Sequence, residues 1–113
     1  MHKCLREPGS SSEVVYILDK LIILYRLRPG VKIEDYKHWS LEVDQKITPF
    51  QPGVKSFHVY ELSSSSSYQI AEEIEVENAD HYPPKTEAMN RVVSEWERYC
   101  DATSVVTLRG KQI

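Results

Sequence analysis

Apolar and polar positions alternate in blocks along the chain, and each block has the period of one kind of secondary structure. The run LIILYRLR at residues 21–28 is apolar on both parities at its start. Two apolar faces are typical of a central strand that is covered on both sides. Pro29-Gly30 follows directly and is a turn signal, so we predict that the first main strand ends there.

A helical period replaces the strand pattern at residues 33–47. Glu34 and Asp35 lie in its first turn, where carboxylates interact favourably with the helix dipole. The helix should end by Thr48, because Pro49 disfavours the helical conformation of the residue before it. Apolar positions recur at steps of three and four, and they define the predicted inward stripe of Tyr36, Trp39 or Ser40, Val43 and Ile47.

Two further strands are predicted after Pro52-Gly53, at residues 54–62 and 68–76, with a serine tract at residues 63–67 as the hairpin loop between them. Strict alternation assigns the residues of a strand to two faces. In the second strand, one predicted face carries Val54, Ser56, His58, Tyr60 and Leu62, and the other carries Lys55, Phe57, Val59 and Glu61. In the third strand, one predicted face carries Tyr68, Ile70, Glu72, Ile74 and Val76.

The remainder of the chain predicts a second helix and a last strand. Residues 85–99 have a helical period, and Asn78 is the expected N-cap of an earlier turn that Pro83-Pro84 interrupts. Residues 103–108 predict the last strand and residues 110–113 a tail. The inward stripe of the second helix comprises Met89, Val92 or Val93, Trp96 and Cys100.

The resulting order is βαββαβ, the arrangement of a ferredoxin-like α+β fold with a four-stranded antiparallel sheet and two helices on one face. We predict a flexible leader at residues 1–12 and a single domain at residues 13–113. Residues 14–18 are either a short extra strand or the beginning of the first main strand. Because both faces of the first strand are apolar, the face without helices should be covered by a second copy. We therefore expect a homodimer that forms through the sheet.

Charge and cysteine content narrow the classes of function. With 14 Lys and Arg against 17 Asp and Glu, the net charge of −3 argues against nucleic-acid binding. Residues 72–80 concentrate carboxylates that could bind a cation, but they lack regular ligand spacing, so a solvated strand edge and turn is favoured. Cys4 and Cys100 define no disulfide framework, which favours a cytoplasmic location. Neither a membrane-spanning run of ~20 apolar residues nor a signal peptide is recognisable.

No metal and no cofactor are predicted from the motifs. The four histidines, at positions 2, 38, 58 and 81, form no HxH or HxxxH pair. The chain has only four glycines and contains neither GxGxxG nor a phosphate-binding loop.

The segments that carry these elements resemble a known superfamily. The segments are LIILYRLRPGVKIEDYKHW, VDQKITPFQPGVKSFHVYEL, YQIAEEIEV and AMNRVVSEWERYCD. Together they resemble the dimeric α+β barrel superfamily and, within it, the REDY-like (HapK-type) proteins associated with prodigiosin-type pathways. The resemblance covers residues 20–109. It implies two ferredoxin-like subunits whose sheets form a joint barrel, with a small-molecule pocket between sheet and helices in each. Superfamily members include cofactor-free monooxygenases, polyketide cyclases, lactone isomerases and proteins without assigned activity.

The catalytic candidates are His58, Tyr60 and Asp44. His58 and Tyr60 share a predicted strand face, where an imidazole and a phenol could act as general base and hydrogen-bond donor. The alternative for His58 is a core or dimer-interface histidine. Asp44 lies near the end of the first helix, where several enzymatic branches of the superfamily carry a histidine. It is either functional or an exposed carboxylate paired with Lys46 or Lys37.

Five aromatic or imidazole side chains are candidates for ligand binding: Tyr25, Trp39, Tyr68, His81 and Tyr82. Tyrosines could line a pocket through ring contacts and hydroxyl hydrogen bonds, although packing in the core is the usual role of such residues. His81 and Tyr82 precede Pro83-Pro84 in a segment that could act as a pocket lid. His38 should face solvent, and Cys100 has no base in reach that would make it a nucleophile.

Two hypotheses of function follow from these residues and from the resemblance. The first is a homodimeric small-molecule-binding protein of a metabolic pathway, such as a prodigiosin-like secondary-metabolite pathway, including a cofactor-free cyclase, isomerase or monooxygenase that works by proton transfer. The second is a non-catalytic accessory or carrier dimer.

Overall fold

The computed structural model describes residues 5–6 and 15–113, with side chains from residue 17 onward. Leu5–Arg6 pairs antiparallel with Val15–Tyr16. Of the two alternatives for residues 14–18, the structure therefore has the short extra strand. The rest of the predicted leader, including Cys4, lies outside the described residues.

The main sheet has four antiparallel strands, and the predicted ferredoxin-like βαββαβ fold is confirmed. The strands are β1 (Asp19–Tyr25), β2 (Val54–Glu61), β3 (Ile70–Val76) and β4 (Val106–Lys111), in the spatial order β2-β3-β1-β4. All four strands differ from the predicted bounds, by one or two residues in β2 and β3 and by two or three residues at each end of β1 and β4. A 3₁₀ turn at Ala102–Ser104 delays β4, which then includes two residues of the predicted tail.

Two glycines make the turns that frame the first helix and β2. Gly30 has φ +86° and Gly53 has φ +78°, and L residues with a side chain rarely adopt such angles. Each follows a proline, which fixes the preceding φ at about −65°. The Pro-Gly pairs therefore mark the ends of elements in the structure as they do in the sequence.

The first helical segment is less regular than its sequence period predicts. The α-helix α1 (Ile33–Trp39) continues as a π-helical turn at Ser40–Asp44, a short α-helical piece at Gln45–Ile47 and a 3₁₀ turn at Thr48–Phe50. A π-helical turn contains more residues than an α-helical turn. The residues at the end of this segment therefore stay directed inward, although a regular period of 3.6 residues would rotate them outward. The 3₁₀ turn accommodates Pro49, which extends the segment past the predicted end.

The second long helix, α2, spans Glu87–Tyr99. The Thr86 side chain caps it by accepting a hydrogen bond from the Met89 N–H at 3.1 Å. The Asn78 side chain likewise accepts from the Asp80 N–H at 2.9 Å, which confirms its predicted role at the start of a 3₁₀ turn. Val92 faces inward and Val93 is exposed, so the structure has the first of the two alternatives that were predicted for the inward stripe.

Both helices pack on the same face of the sheet, and the core has two parts. The first joins the helices to the end of β1 and the start of β3 and comprises Tyr25, Leu27, Tyr36, Trp39, Ile70, Met89, Val92 and Cys100. The second lies near the start of β2 and the end of β3 and comprises Leu21, Val54, Phe57, Ile74, Val76 and Ala79. Tyr82 packs against both parts.

A β-bulge in β2 overturns the predicted faces of that strand. The pairing of β2 with β3 shifts register between Val54 and Ser56. One extra residue reverses the alternation beyond that point, so Val54 and Phe57 both lie in the core and His58 is exposed. The prediction that Val54 and His58 share a face is therefore wrong.

The sheet face opposite the helices is mixed in character. Ile22 on β1 and Leu108 on the edge strand β4 are paired neighbours on this face and are 37% and 51% exposed. Lys20 forms ion pairs with Glu73 at 3.2 Å and Glu75 at 3.7 Å beside them. An apolar patch next to ion pairs is a composition that surfaces between subunits often have.

Within residues 17–113, no helix is long and apolar enough to cross a membrane.

Candidate functional site

Glu72 is a carboxylate in the middle of an otherwise apolar sheet face. It lies on β3 between Ile70 and Ile74, directed at the helices, and is 7% exposed. Because β3 pairs with β1 on one side and β2 on the other, Glu72 lies on an interior strand of the sheet. The prediction of a solvated strand edge is therefore wrong for this residue. Burying a carboxyl group at such a place is costly unless it is neutral or hydrogen-bonded.

Asp44 is a second buried carboxylate, and it approaches from the helix layer. It ends the π-helical turn, is 3% exposed, and accepts a hydrogen bond from the Thr48 hydroxyl at 2.6 Å. The expected alternative of an exposed carboxylate paired with lysine is wrong. Lys46 pairs with Glu42 and Lys37 with Glu61 instead.

Two tyrosine hydroxyls connect to Glu72 in a chain of short hydrogen bonds. The Tyr25 hydroxyl donates to Glu72 Oε2 at 2.5 Å, and the Tyr25 and Tyr36 hydroxyls are 2.6 Å apart. Both tyrosines are 1% exposed. Trp96 packs edge-on against the Tyr25 ring, with 5.1 Å between ring centroids. Trp96 therefore covers the Tyr25 end of the chain.

The burial of the two carboxyl groups changes their acidity. Burial raises the pKa of Glu72 to about 8, and the nearby Asp44 carboxylate adds to the effect. Burial also raises the pKa of Asp44 to about 6, against the opposing hydrogen bond from Thr48. In the part of the chain with described side chains, no Lys, Arg or His forms an ion pair with either carboxylate. Two such groups can share protons near neutral pH, which is the arrangement that general acid–base chemistry needs.

A cleft of about 720 Å³ lies at the end of β3 and the start of β2. Its walls include Val54, Val76, His81, Tyr82 and Thr86, whereas Glu72 and Asp44 do not line it. Burial and the charges of Glu72 and Asp44 raise the pKa of the Tyr82 hydroxyl, so this wall residue is within electrostatic reach of both carboxyl groups. The volume is within the range of small-molecule sites.

A smaller groove of about 160 Å³ lies between the first helical segment and strands β2 and β3, and it shares no lining residue with the cleft. Tyr36, Ser40, Leu41 and Gln45 line it from the helix side. Val59, Glu61 and Ile70 complete its wall. Tyr36 is thus both a member of the tyrosine chain and part of the wall of this groove.

The other catalytic candidates lie away from the carboxylate pair. His58 and Tyr60 are on the open face of the sheet, and Tyr60 is 48% exposed. The Tyr60 hydroxyl donates to Glu73 at 3.4 Å. The β-bulge is the physical reason for this placement. Of the three predicted catalytic residues, the structure brings only Asp44 to the interior between sheet and helices.

The predicted binding residues divide between core, cleft and surface. Tyr25 is in the hydrogen-bonded chain, and His81 and Tyr82 line the cleft. Trp39 is a core residue that stacks on Tyr99 and donates from Nε1 to Glu95 at 2.9 Å. Tyr68 lies under the Arg26 guanidinium, whose carbon is 5.7 Å from the ring centroid. His38 is exposed, as predicted.

Glu72 and Tyr36 are missing from the candidates chosen from sequence. The signal for Glu72 was present, because it is the only charged residue on a predicted face with Ile70, Ile74 and Val76. A carboxylate among the apolar residues of a strand face indicates either that the face is wrongly assigned or that the carboxylate has a function. Tyr36 was predicted only as part of the helix stripe, and no sequence feature indicates that its hydroxyl meets that of Tyr25.

The fold and the buried site define a class: a ferredoxin-like α+β domain with titratable groups enclosed between sheet and helices. Residues 19–113 match the family model described as REDY-like protein HapK, and the chain belongs to this family. The predicted resemblance is confirmed.

Solved structures support the same fold. HapK from Hahella chejuensis has 22% sequence identity and a TM-score of 0.72, over 84% of this chain and 92% of that chain. A dimeric ferredoxin-like protein of unknown function from Bacteroides fragilis has 16% identity and a TM-score of 0.65, over 84% and 96%. Another from Thermobifida fusca has 12% identity and a TM-score of 0.67, over 99% and 100%. No curated protein sequence matches the chain.

Proposed function

We propose that this protein binds a small, largely apolar organic molecule in the cleft beside Tyr82 and moves a proton to or from it with Asp44 and Glu72. The observation that carries the proposal is the pair of buried carboxyl groups without a cationic partner among the described side chains. Such a pair destabilises the fold when charged, and proton transfer at a substrate is a use that accounts for it.

The ligand class follows from the walls of the cleft. Valine and proline side chains provide apolar contact, His81, Lys85 and Thr86 add polar groups, and Tyr82 offers a hydroxyl within electrostatic reach of the two carboxylates. A ligand with a weakly acidic C–H or O–H group fits this combination. Family membership supports a role in a secondary-metabolite pathway, in which cyclisation or isomerisation would need only such proton transfers.

A panel of phenols, lactones and β-dicarbonyl compounds tests this function. Binding is followed by NMR shifts at Val54, Val76 and Tyr82, and catalysis by exchange of the acidic C–H of the β-dicarbonyl compounds for deuterium. We expect Glu72→Gln and Asp44→Asn each to slow this exchange by roughly 10²–10⁴-fold, because each removes a group that can hold the proton.

Glu73→Gln is the matched control. Glu73 is the next residue of the same strand, faces the open side and pairs with Lys20, so its substitution should leave exchange unchanged. Binding in the cleft without any exchange would support the non-catalytic carrier function instead. Failure of every compound to perturb the cleft would contradict the proposal.

We also propose that the protein is a homodimer through the open sheet face. Exposed Ile22 and Leu108 give that face an apolar patch, and two similar structures are described as dimeric. In this arrangement His58 and Tyr60 lie in or beside the subunit interface, which is the alternative that the sequence left open for His58.

Substitution of Leu108 by lysine should abolish the dimer, because a charge would be buried against the partner's apolar surface. Light scattering at micromolar concentration should give a mass near twice that of the chain for the wild type and near the chain mass for Leu108→Lys. Val93→Lys, on the exposed side of α2, is the control and should remain dimeric. A monomeric wild type would refute this arrangement.

A further inference from the structure

The two tyrosines beside Glu72 form a hydrogen-bonded chain, and its direction in this structure follows from the hydrogen that Tyr25 donates. A phenol has one hydrogen to donate, and the Tyr25 hydrogen goes to Glu72. The 2.6 Å contact between the two hydroxyls therefore has Tyr36 as the donor and Tyr25 as the acceptor. All three oxygens are aligned in one sequence, from the groove wall at Tyr36 to the carboxylate.

The buried carboxylates need a path for protons to reach water. Under the proposed function, on which this inference rests, Glu72 gains or loses a proton in each cycle. A ligand in the cleft would cover the side on which Tyr82 lies. Water at that side is then excluded, so exchange with solvent must use another route.

The tyrosine chain supplies that route, because Tyr36 lines the separate groove beside the first helical segment. Leu41 forms part of the groove wall and is 58% exposed, so this side remains open to solvent while the cleft is occupied. The groove volume of about 160 Å³ is enough for several water molecules, each of which takes about 30 Å³ in the liquid.

We propose that Tyr25 and Tyr36 relay protons between Glu72 and water in this groove. In the protonated state, Glu72 donates to Tyr25, Tyr25 to Tyr36, and Tyr36 to a groove water. On release, the Glu72 proton moves to the Tyr25 oxygen, the Tyr25 proton to the Tyr36 oxygen, and the Tyr36 proton to water. Three O–H bonds break and three form, and in the final state Tyr25 donates to the Glu72 carboxylate and Tyr36 to Tyr25, as in the structure. Both tyrosines act through Glu72 and are positioning residues for its proton.

Hydroxyl exchange measures this relay without any ligand. Protein labelled with ¹³C at the tyrosine Cζ, in mixed H₂O and D₂O, reports the exchange rate of the Tyr25 hydroxyl through the deuterium shift of that carbon. We expect Tyr36→Phe to slow this exchange about tenfold, while Tyr82→Phe, the same change at the cleft, leaves it within about twofold.

The sign of the effect separates a relay from a merely structural role. Loss of packing or of a hydrogen bond would open the core more often and so speed up exchange. Unchanged or faster exchange in Tyr36→Phe, or slower exchange in Tyr82→Phe, would overturn the relay.

A second variant tests the route with both hydroxyls in place. Leu41→Trp fills the groove and should also slow Tyr25 exchange, and it decides the question if Tyr36→Phe does not fold. Normal exchange in Leu41→Trp would show that the proton does not leave through the groove. Because no ligand is used, failure of the relay leaves the ligand tests standing. If the ligand tests fail instead, the exchange rates still measure the route by which the Tyr25 proton reaches water.

Discussion

Raising the pH from 5 to 8.5 is expected to lower the free energy of unfolding of the wild type far more than that of Glu72→Gln. In the unfolded chain Glu72 has its ordinary pKa of 4.5, whereas burial raises the pKa in the folded protein to about 8. Between these values the folded state binds more protons than the unfolded state, so stability falls as the pH rises. The contribution is fully present below about pH 4.5 and is lost once the pH passes about 8.

The size of the effect makes it measurable. At about 1.4 kcal/mol per pKa unit, the shift of Glu72 corresponds to an upper limit on the order of 5 kcal/mol. A domain of this size has a total stability of about 5–15 kcal/mol. Asp44 acts in the same direction, because its pKa is raised from 3.8 to about 6. The two carboxyl groups interact, so their contributions do not add.

This prediction is checked by urea unfolding at both pH values of three proteins, the wild type, Glu72→Gln and Glu73→Gln. The amide introduced by Glu72→Gln stays neutral and can still accept the Tyr25 hydrogen bond. This variant should therefore match the wild type at pH 5 and exceed its stability at pH 8.5. Glu73→Gln should follow the pH dependence of the wild type, since Glu73 is on the open face. Equal differences at the two pH values would show that Glu72 is not held neutral by burial.

Truncation of Ile74 should produce the largest loss of stability among apolar core residues of the sheet. Ile74 is 0% exposed, opposite Leu21 on one side and Phe57 on the other, at the centre of the second core cluster. Ile74→Ala removes three carbon atoms that the neighbouring strands cannot replace, and the expected cost is about 3 kcal/mol. Denaturant titration at a fixed pH of 5 measures it without interference from the carboxylates.

Ile17→Ala is the control for that measurement. Ile17 is 37% exposed and lies outside the main sheet, so the same deletion of atoms should cost less than about 1 kcal/mol. Similar losses at the two positions would show that the second cluster does not pack as tightly as its burial indicates.

The fold could be predicted from sequence because its signals are local. Pro29-Gly30 and Pro52-Gly53 end elements through backbone angles that few other residue pairs adopt. The apolar blocks between them have clear periods of two or of three to four. These features depend on near neighbours in the chain, so one sequence is enough to assign the order of strands and helices.

The site could be predicted only in part because it depends on two departures from regular periods. The π-helical turn at Ser40–Asp44 directs Asp44 inward. A prediction that assumes 3.6 residues per turn cannot include such a turn. The bulge in β2 carries His58 outward, against strict alternation. Glu72 lies on the strand face that regular alternation predicts, so neither departure is involved in its position. It was missed because its acidic neighbours suggested solvent, although its own face of the strand was apolar.

The bulge in β2 also has a consequence for comparing members of this family. Deleting Lys55 would leave a regular strand in which Val54 and Phe57 still face inward and His58 still faces outward. A strand of unchanged length that paired without the bulge would instead turn His58 toward the interior and exchange the residues of the two surfaces at once. Relatives that have a histidine at this position but lack the bulge can therefore use it for a different purpose, and the pairing of the strand is as informative as residue identity when roles are transferred between them.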